Sequence, residues 1–472
     1  MPLEWFKFES NRKTTHLLDY PYLFHPMTLV TYFRAINYSR MNDAYETAKA
    51  KRGFMEWTTN TKYLVTDREI MDNLEKKLML AVSEFLVLKI RRTHILIDAF
   101  DSIWRRERRE LMRPLKIRLF EEGTSDQAQD DGGVQQEFFR LAIAEALNPD
   151  SGMYISSTYR PILIAAGLFT QDKRTKMTWF QPGSPEPLWR FELIGMLISL
   201  AVYNGLTLPV TFPKALYRKL LDEDVSELHH IVDGWPEFEK GLKAILEWEE
   251  SDGSVEDIFG LTYEFTTDQF GERLSREMGA YSTWPQFCDW NANAASNSKD
   301  APPVTNENRN SYVSDFIRYL TEISVQPQFD AFKAGFFACI DRRTIKLFNA
   351  DTLQSVVEGI QTIDISEMRH ITDYNGWDST HQSIKDFWSI VESFDNLRKR
   401  KLLEFVTASD RVPVGGMKNL VFIINKNGVG DERLPSSSTC YGVLMLPQYT
   451  SKDAMKEKLE MALDNTEGFG LP

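Results

Sequence analysis

The chain carries, at residues 434–447, the stretch LPSSSTCYGVLMLP. A short polar loop holds Cys440, and an apolar run with the composition of a β-strand follows it at once. Most free cysteines behave as small buried hydrophobes, but a thiol in a polar loop beside a strand is accessible to partners. The local sequence therefore makes Cys440 a candidate reactive cysteine, with a packed and inert thiol as the alternative.

Composition and charge limit the classes of protein that need to be considered. The chain has 472 residues, which is too many for one ordinary hydrophobic core, so two or more compact units are expected. A formal net charge of −13 argues against nucleic acid or an anionic membrane as the main partner. The first residues lack the apolar core of a signal peptide, and a membrane-spanning segment of roughly 18 apolar residues is not found. We therefore expect an intracellular protein, in the cytoplasm, the nucleus or both.

The three cysteines, Cys288, Cys339 and Cys440, form no recognisable metal or redox motif. Because three cysteines cannot all pair, a disulfide scaffold or a cysteine-based zinc site is not expected. Cys339 lies in an apolar helical run and Cys288 lies between two tryptophans, so both are predicted to be packed. The polar turn at residues 130–133 lacks the ligand spacing of a calcium loop. The sequence thus predicts neither a metal nor another cofactor.

Hydrophobic periodicity predicts a mainly helical first part and a mixed C-terminal part. Residues 1–90 are predicted to be mainly helical, including a helix over 71–88, and the apolar run 191–204 predicts a buried core helix. Tryptophans, acidic residues and turn signals set residues 225–310 apart as an inserted subdomain. Near the C-terminus the pattern predicts helices at 384–393, 397–406 and 451–463, and strands at 420–424 and 442–446. Asn375-Gly376 interrupts the periodicity and predicts a connector.

Further short motifs lie in order along the chain: DGGV at 131–134, EFF at 137–139, TNENR at 305–309, FW at 387–388, FVT at 405–407, RVPVGG at 411–416, LPQY at 446–449 and GFG at 468–470. Together with the Cys440 loop, these motifs resemble the catalytic region of HECT-type E3 ubiquitin-protein ligases. The resemblance covers roughly residues 91–472. It turns the modest local signal at Cys440 into a specific one.

The resemblance implies an α+β fold with two lobes. A mostly helical N-lobe is expected at residues 91–374, with a subdomain at 225–310 that binds the conjugating enzyme. A hinge is expected at 375–378, through Asn375, Gly376 and Trp377, and a smaller α/β C-lobe at 379–472. Residues 1–90 lie outside the best-matched region and are predicted to be a helical N-terminal extension.

The same resemblance implies roles for individual residues. Cys440 would accept ubiquitin from a charged conjugating enzyme as a glycyl thioester, and a lysine of a protein substrate would then take it. Thr439 would orient the loop, Phe469 would support ligation, and Asp431 or Glu432 would assist the incoming lysine. The groove for the conjugating enzyme corresponds to a set of apolar and aromatic residues: Phe238, Leu242, Trp248, Phe259, Leu261, Tyr312 and Phe316. The expected partners are the ubiquitin-charged conjugating enzyme, ubiquitin and the substrate, with neither nucleic acid nor membrane.

The chain departs from the family pattern at two places in the loop. Many members have His or Ala where Ser438 stands, and Phe-Asn where Tyr441-Gly442 stands. These changes keep a small or polar residue and an aromatic ring. Two other functions are weighed. A non-catalytic scaffold that only binds conjugating enzyme or ubiquitin is disfavoured by the intact Cys440 loop and by Phe469. A thiol redox enzyme is disfavoured because no Cys-x-x-Cys motif accompanies Cys440.

Overall fold

The computed structural model describes residues 1–7, 15–60, 83–104, 106–120, 133–147, 154–157, 160–163, 168–171, 177–269, 272–279, 284, 301–360, 362–407, 409–413 and 416–464. Helices predominate in these segments, and short strands lie between them, so the predicted α+β class is confirmed. Among the helices of this described part, none combines the length and the apolar character needed to cross a membrane.

The helices of the described residues are numbered in chain order as α1 (Pro2–Lys7), α2 (Pro26–Asn60), α3 (Ile95–Ile103), α4 (Arg108–Leu111), α5 (Gly133–Leu147), α6 (Leu188–Tyr203), α7 (Lys214–Leu220), α8 (Pro236–Glu247), α9 (Val255–Phe259), α10 (Arg309–Thr321), α11 (Gln326–Phe336), α12 (Arg342–Ile345), α13 (Ala350–Glu358), α14 (Ile365–Ile371), α15 (Gln382–Ser393), α16 (Asn396–Thr407) and α17 (Lys452–Asp464). The strands are β1 (Leu86–Arg91), β2 (Leu115–Phe120), β3 (Tyr154–Ser157), β4 (Arg160–Leu163), β5 (Phe169–Gln171), β6 (Thr178–Phe180), β7 (Glu264–Gln269), β8 (Glu272–Glu277), β9 (Asp373–Asn375), β10 (Ile423–Val429), β11 (Ser436–Ser438) and β12 (Val443–Gln448).

The chain divides into two compact units. One contains Met1–Ala142, Ala201–Pro209 and Ser355–Pro472, and the other contains Ile143–Leu200 and Val210–Gln354. Each unit is therefore assembled from separate stretches of sequence. The lobe boundaries given above stay predictions.

The N-terminal region contains one clear departure from the predicted helices. Leu86–Arg91 is strand β1, so the helix predicted over 71–88 is wrong at its end, while residues 71–82 of it lie outside the described residues. Leu86, Leu88 and Ile90 are buried in alternation, which is the period of a strand. β1 pairs in parallel with β2, a partner almost 30 residues away along the chain. The apolar spacing of this segment fits a helix almost as well as a strand, and the pairing with β2 makes it a strand.

Two glycines allow the core helices of the second unit to touch. A Cβ on Gly195 of α6 would lie 2.1 Å from the carbonyl oxygen of Phe332, and one on Gly335 of α11 would lie 1.8 Å from that of Glu192. The backbones of α6 and α11 therefore pack in direct contact. Cys339, which follows α11, is fully buried, and its backbone N–H donates to the hydroxyl of Ser199. The prediction that Cys339 is packed is confirmed.

The C-terminal core is built on a four-stranded sheet of order β11-β12-β10-β9. β10 pairs in parallel with β12 and β9, and β11 pairs antiparallel with β12. Helices α15, α16 and α17 contribute buried faces to this core. The core begins at Ile363, ahead of α14, and runs to Leu463.

Candidate active site and docking groove

Cys440 is the middle residue of a single 3-10 turn, Thr439–Tyr441, between β11 and β12. The flanking strands pair antiparallel, with Ser436 opposite Met445 and Ser438 opposite Val443. The hairpin therefore holds the backbone of Cys440 at its turn. The thiol of Cys440 lies outside the described part of the chain.

The turn ends at Gly442, whose left-handed backbone has φ 63° and ψ 36°. A Cβ at this position would lie 2.2 Å from the carbonyl oxygen of Val421. The carbonyl of Gly442 also accepts a hydrogen bond from the N–H of Ile423, at 2.8 Å. Asparagine adopts left-handed backbone readily, but its Cβ has no room here. The backbone conformation and this contact together require glycine at position 442.

Four hydrogen bonds fasten the segment that leads into β11. The carboxylate of Asp431 accepts from the N–H of Thr450 at 2.9 Å and also from its hydroxyl, and the phenol of Tyr449 donates to the carbonyl of Arg433 at 2.8 Å. The N–H of Gly430 donates to the carbonyl of Gln448 at 3.0 Å. The loop before Cys440 is thus tied to the end of β12, the strand that follows it.

The pKa values of two groups in this segment are shifted, one by hydrogen bonds and the other by burial. The hydroxyl of Thr450, and then its N–H, lowers the pKa of Asp431. Burial raises the pKa of Tyr449, so its phenol stays a donor. Neither role was found from the sequence, which named Asp431 as a helper of the lysine and Tyr449 only within a motif. The bond partners Arg433 and Tyr449 lie 16 residues apart, and Asp431 and Thr450 lie 19 apart, so their spacing carries no periodic signal.

The other residues predicted to act with Cys440 differ in exposure and in whether they lie among the described residues. Thr439 is exposed, and its hydroxyl makes no hydrogen bond within the described part of the chain, so its orienting role stays a prediction. Tyr441 exposes 64% of its surface beside the turn. Phe469 lies outside the described residues, and so does Cys288.

The predicted groove residues come together on α8, α9 and α10. The rings of Phe238 and Phe316 meet edge to face at 5.4 Å between centroids, and Phe316 also contacts Tyr312 at 6.0 Å. The rings of Trp248 and Phe259 meet at 5.4 Å. These residues are spread over almost 80 positions of the sequence.

The exposure of these residues varies along the groove. Phe238 is 46% exposed, and Trp248, Phe259, Leu261 and Phe316 are half-buried. Leu242 and Tyr312 are buried, and burial raises the pKa of Tyr312 to about 12. Ile258, which the sequence did not single out, is 50% exposed beside them. The exposed members give the groove apolar atoms that a partner can cover.

The predicted hinge residues lie within the C-terminal core. Asn375 is the last residue of β9 and pairs with Asn425 of β10. Gly376 has a left-handed φ of 73°, and Trp377 is 8% exposed and belongs to the core. The core includes residues on both sides of this segment, from Ile363 onward. A boundary at 375–378 would therefore cut through one packed core.

One cluster among the described residues has the atoms of a metal site. Potential ligand atoms of Glu227, His229 and His230 lie within 4.8 Å of one another. However, Nδ1 of His230 accepts the N–H of Glu227 at 3.3 Å as half of a helix capping box. Burial, and then the charge of Arg218, lowers the pKa of His230. These contacts give the cluster a local structural role.

Comparisons with known proteins agree on one family. The family HECT-domain (ubiquitin-transferase) matches residues 141–472. A mouse protein, probable E3 ubiquitin-protein ligase HECTD2 of Mus musculus, is 34% identical over 400 residues, which cover 82% of this chain and 46% of that protein. The probable E3 ubiquitin-protein ligase HERC4 of Homo sapiens is 32% identical, covering 86% of this chain and 35% of that protein.

A fungal protein is similar over a still larger share of the chain. The probable E3 ubiquitin-protein ligase HUL4 of Eremothecium gossypii is 29% identical over 441 residues, covering 90% of this chain and 46% of that protein. The chain therefore spans less than half the length of these curated relatives.

Proposed function

Since the chain belongs to the HECT-domain family of ubiquitin-transferases, we propose that it is the catalytic part of an E3 ubiquitin-protein ligase that carries ubiquitin on Cys440. The observation that carries the proposal is the position of Cys440 at the turn of a hairpin tied down on both sides. Its partners would be a ubiquitin-charged conjugating enzyme, ubiquitin and a protein substrate. The named relatives are all probable ligases by name and give the scaffold alternative no support.

The reaction consists of two acyl transfers. In the first, the thiolate of Cys440 attacks the thioester carbonyl of ubiquitin's C-terminal glycine, a new C–S bond forms, and the conjugating enzyme's cysteine leaves as a thiolate. Exchange between thioesters is nearly isoenergetic, so this step needs the thiolate and correct alignment above all. In the second, a substrate lysine amine attacks the Cys440 thioester, an isopeptide bond forms, Cys440 leaves as a thiolate, and the amine loses its proton.

The tethered hairpin suits both steps because it fixes the nucleophile's backbone before either partner arrives. The bonds from Thr450 to Asp431 and from Tyr449 to Arg433 hold the loop at points on either side of the turn's base. Holding a nucleophile in the correct orientation at about 3–3.5 Å from the reacting carbonyl can supply several kcal/mol of the barrier reduction. Thr439 and Phe469 keep their proposed roles in loop orientation and ligation.

The groove on α8, α9 and α10 is the proposed docking site of the conjugating enzyme. Phe238 is the anchor that a partner would cover most fully, because it is the most exposed ring there. The lobes of such a ligase must also move relative to each other to pass ubiquitin on, which requires a connector. We place this connector at Gly359, directly after α13, because Ile360 already pairs with Val412 of the C-terminal core.

A pulse–chase reaction tests the proposal. A conjugating enzyme is charged with labelled ubiquitin, mixed with the chain, and chased with free lysine-bearing substrate. Thioester and isopeptide products are separated by their sensitivity to thiol. We expect Phe238→Ala to slow the first transfer, and Phe469→Ala to leave it largely intact while slowing ligation. If Phe469→Ala slowed both steps equally, the tail would have a structural role.

A further inference from the structure

One end of the docking groove carries an unusual concentration of negative charge. Between Lys243 and Arg273 the chain has no basic residue. Within this interval four exposed carboxylates flank the groove, and we name them the acidic rim: Glu249, Glu250, Asp252 and Glu256.

The fold fixes the rim against the groove's rings. The indole N–H of Trp248 donates to the carbonyl of Gly253 at 3.0 Å, which closes the turn that carries Glu249, Glu250 and Asp252. The hydroxyl of Ser254 then accepts the N–H of Asp257 and caps α9, the helix that carries Glu256. Trp248 also packs on Phe259, so the same side chain closes the acidic turn and contributes a ring to the groove.

The two basic side chains near the rim, Lys243 and Arg309, contact groups other than the rim carboxylates. Lys243 lies 3.8 Å from Glu247, and Arg309 donates to the carbonyl of Trp248 at 2.8 Å. No ion pair to the four rim carboxylates occurs among the described residues. The charge of the rim therefore faces solvent, where an approaching partner meets it.

The apolar and acidic ends of the groove are separated along α8. Phe238 contacts Phe316 near the start of α8, and Trp248 contacts Arg309 just beyond its end. Ten residues of helix span about 15 Å. At the far end, Ile258 is 50% exposed between the rim and the rings. A partner thus needs an apolar anchor and, about 15 Å away, positive charge.

We infer that the acidic rim selects conjugating enzymes whose docking face carries lysine or arginine beside its apolar contact residues. This inference rests on the proposed function, since it assigns the preferred partner of the same groove. The physical cause is electrostatic steering, which raises association rates and is screened by salt. Rim charges act mainly on the rate of association, whereas the buried rings hold the complex together.

Association kinetics with conjugating enzymes of different surface charge test the inference. The rim variant is Glu249→Gln/Glu250→Gln/Asp252→Asn. The matched control, Asp43→Asn/Glu46→Gln/Asp101→Asn, removes three exposed charges in the other compact unit. With a conjugating enzyme that has a basic docking face, we expect the rim variant to associate about tenfold more slowly at low salt. The difference in association rate between the rim variant and the wild type should vanish at roughly 0.5 M salt. The control should associate as fast as the wild type at both salt concentrations.

A charge exchange sharpens the test. Glu250→Lys should weaken binding to the basic conjugating enzyme, and a lysine-to-glutamate change on that enzyme's docking face should restore it. If the rim variant bound as fast as the wild type at low salt, the rim would not select the partner. That result would leave the proposed function standing as long as Phe238→Ala still slowed the first transfer. Failure of the wild-type chain to bind any charged conjugating enzyme would instead contradict the proposed function.

Discussion

Gly442 and Val421 approach so closely that a Cβ on Gly442 would lie 2.2 Å from the carbonyl oxygen of Val421. The contact lies two residues after Cys440 and joins the Thr439–Tyr441 turn to the segment that enters β10. The backbone at Gly442 is left-handed as well, so two separate physical reasons demand glycine here.

Replacing Gly442 by alanine should therefore destabilise the C-terminal core. The left-handed backbone alone costs about 1–2 kcal/mol for a residue with a Cβ, and the contact with Val421 adds to that. Gly260 is a matched control, because its backbone is also left-handed (φ 56°, ψ 31°) and no described atom lies within 4 Å of a Cβ there. We expect Gly442→Ala to lower the melting temperature clearly more than Gly260→Ala. Equal effects would show that the Val421 contact costs nothing.

The proposed connector at Gly359 makes a prediction that separates it from the hinge at 375–378. Two extra Gly-Ser residues inserted after Gly359 should leave the C-terminal core intact, because that core starts beyond it. The same insertion after Gly376 should loosen β9 from β10 and expose Trp388, whose indole donates to Tyr374 at 2.9 Å. Amide hydrogen exchange of β10 measures the difference. If the insertion after Gly359 accelerated amide exchange in β10 and the insertion after Gly376 did not, the result would favour a hinge at 375–378 instead.

The hydrogen bonds to Asp431 predict a pH dependence of stability. Thr450 lowers the pKa of Asp431 in the folded chain, so the carboxylate is stabilising above its unfolded pKa of about 3.9. This contribution is lost as the pH falls through the lower, folded pKa. We expect Asp431→Asn to melt below the wild type at pH 7 and to converge with it in acid. Thr450→Val, which removes the hydroxyl donor, should weaken this pH dependence; an unchanged profile would contradict the assigned bond.

A cation between two rings joins the N-terminal extension to the rest of its unit. The guanidinium carbon of Arg40 lies 5.5 Å from the ring centroid of Phe6 and 5.7 Å from that of Tyr203, and Arg40 is 9% exposed. A desolvated cation–π contact contributes about 2 kcal/mol, and an exposed one about 0.5–1 kcal/mol. Arg40→Gln should therefore lower the free energy of unfolding more than Lys49→Gln, which removes an exposed cation over Tyr45. Denaturant unfolding measures the free energy of unfolding of both variants. Equal losses of stability would show that the contact of Arg40 with the two rings adds no more than an exposed contact does.

The parts of the fold that could be read from the sequence are those with local signals. Helices α15, α16 and α17 begin and end within two residues of the predicted limits, because each has an apolar face at helical spacing. The strand after Cys440 was predicted within two residues for a similar reason. The groove residues were found only through the family resemblance, since their contacts join distant helices.

The parts that the sequence missed depend on contacts between distant residues. Leu86–Arg91 became a strand because Leu115–Phe120 pairs with it. The Asn375-Gly376 dipeptide has the composition of a flexible connector, yet pairing with β10 and burial of Trp377 place it inside a core. The bond between Asp431 and Thr450 joins residues 19 positions apart. No local pattern encodes such pairs.

The most direct test of the account is the site of ubiquitin attachment. The chain is mixed with a ubiquitin-charged conjugating enzyme for a single turnover and analysed without thiol. We predict a ubiquitin adduct that thiol removes, that Cys440→Ala abolishes, and that Cys440→Ser converts into a thiol-resistant, hydroxide-labile ester. Replacement of the buried Cys339 by serine should leave the adduct in place. An adduct of undiminished amount on the Cys440→Ala chain would contradict the central claim.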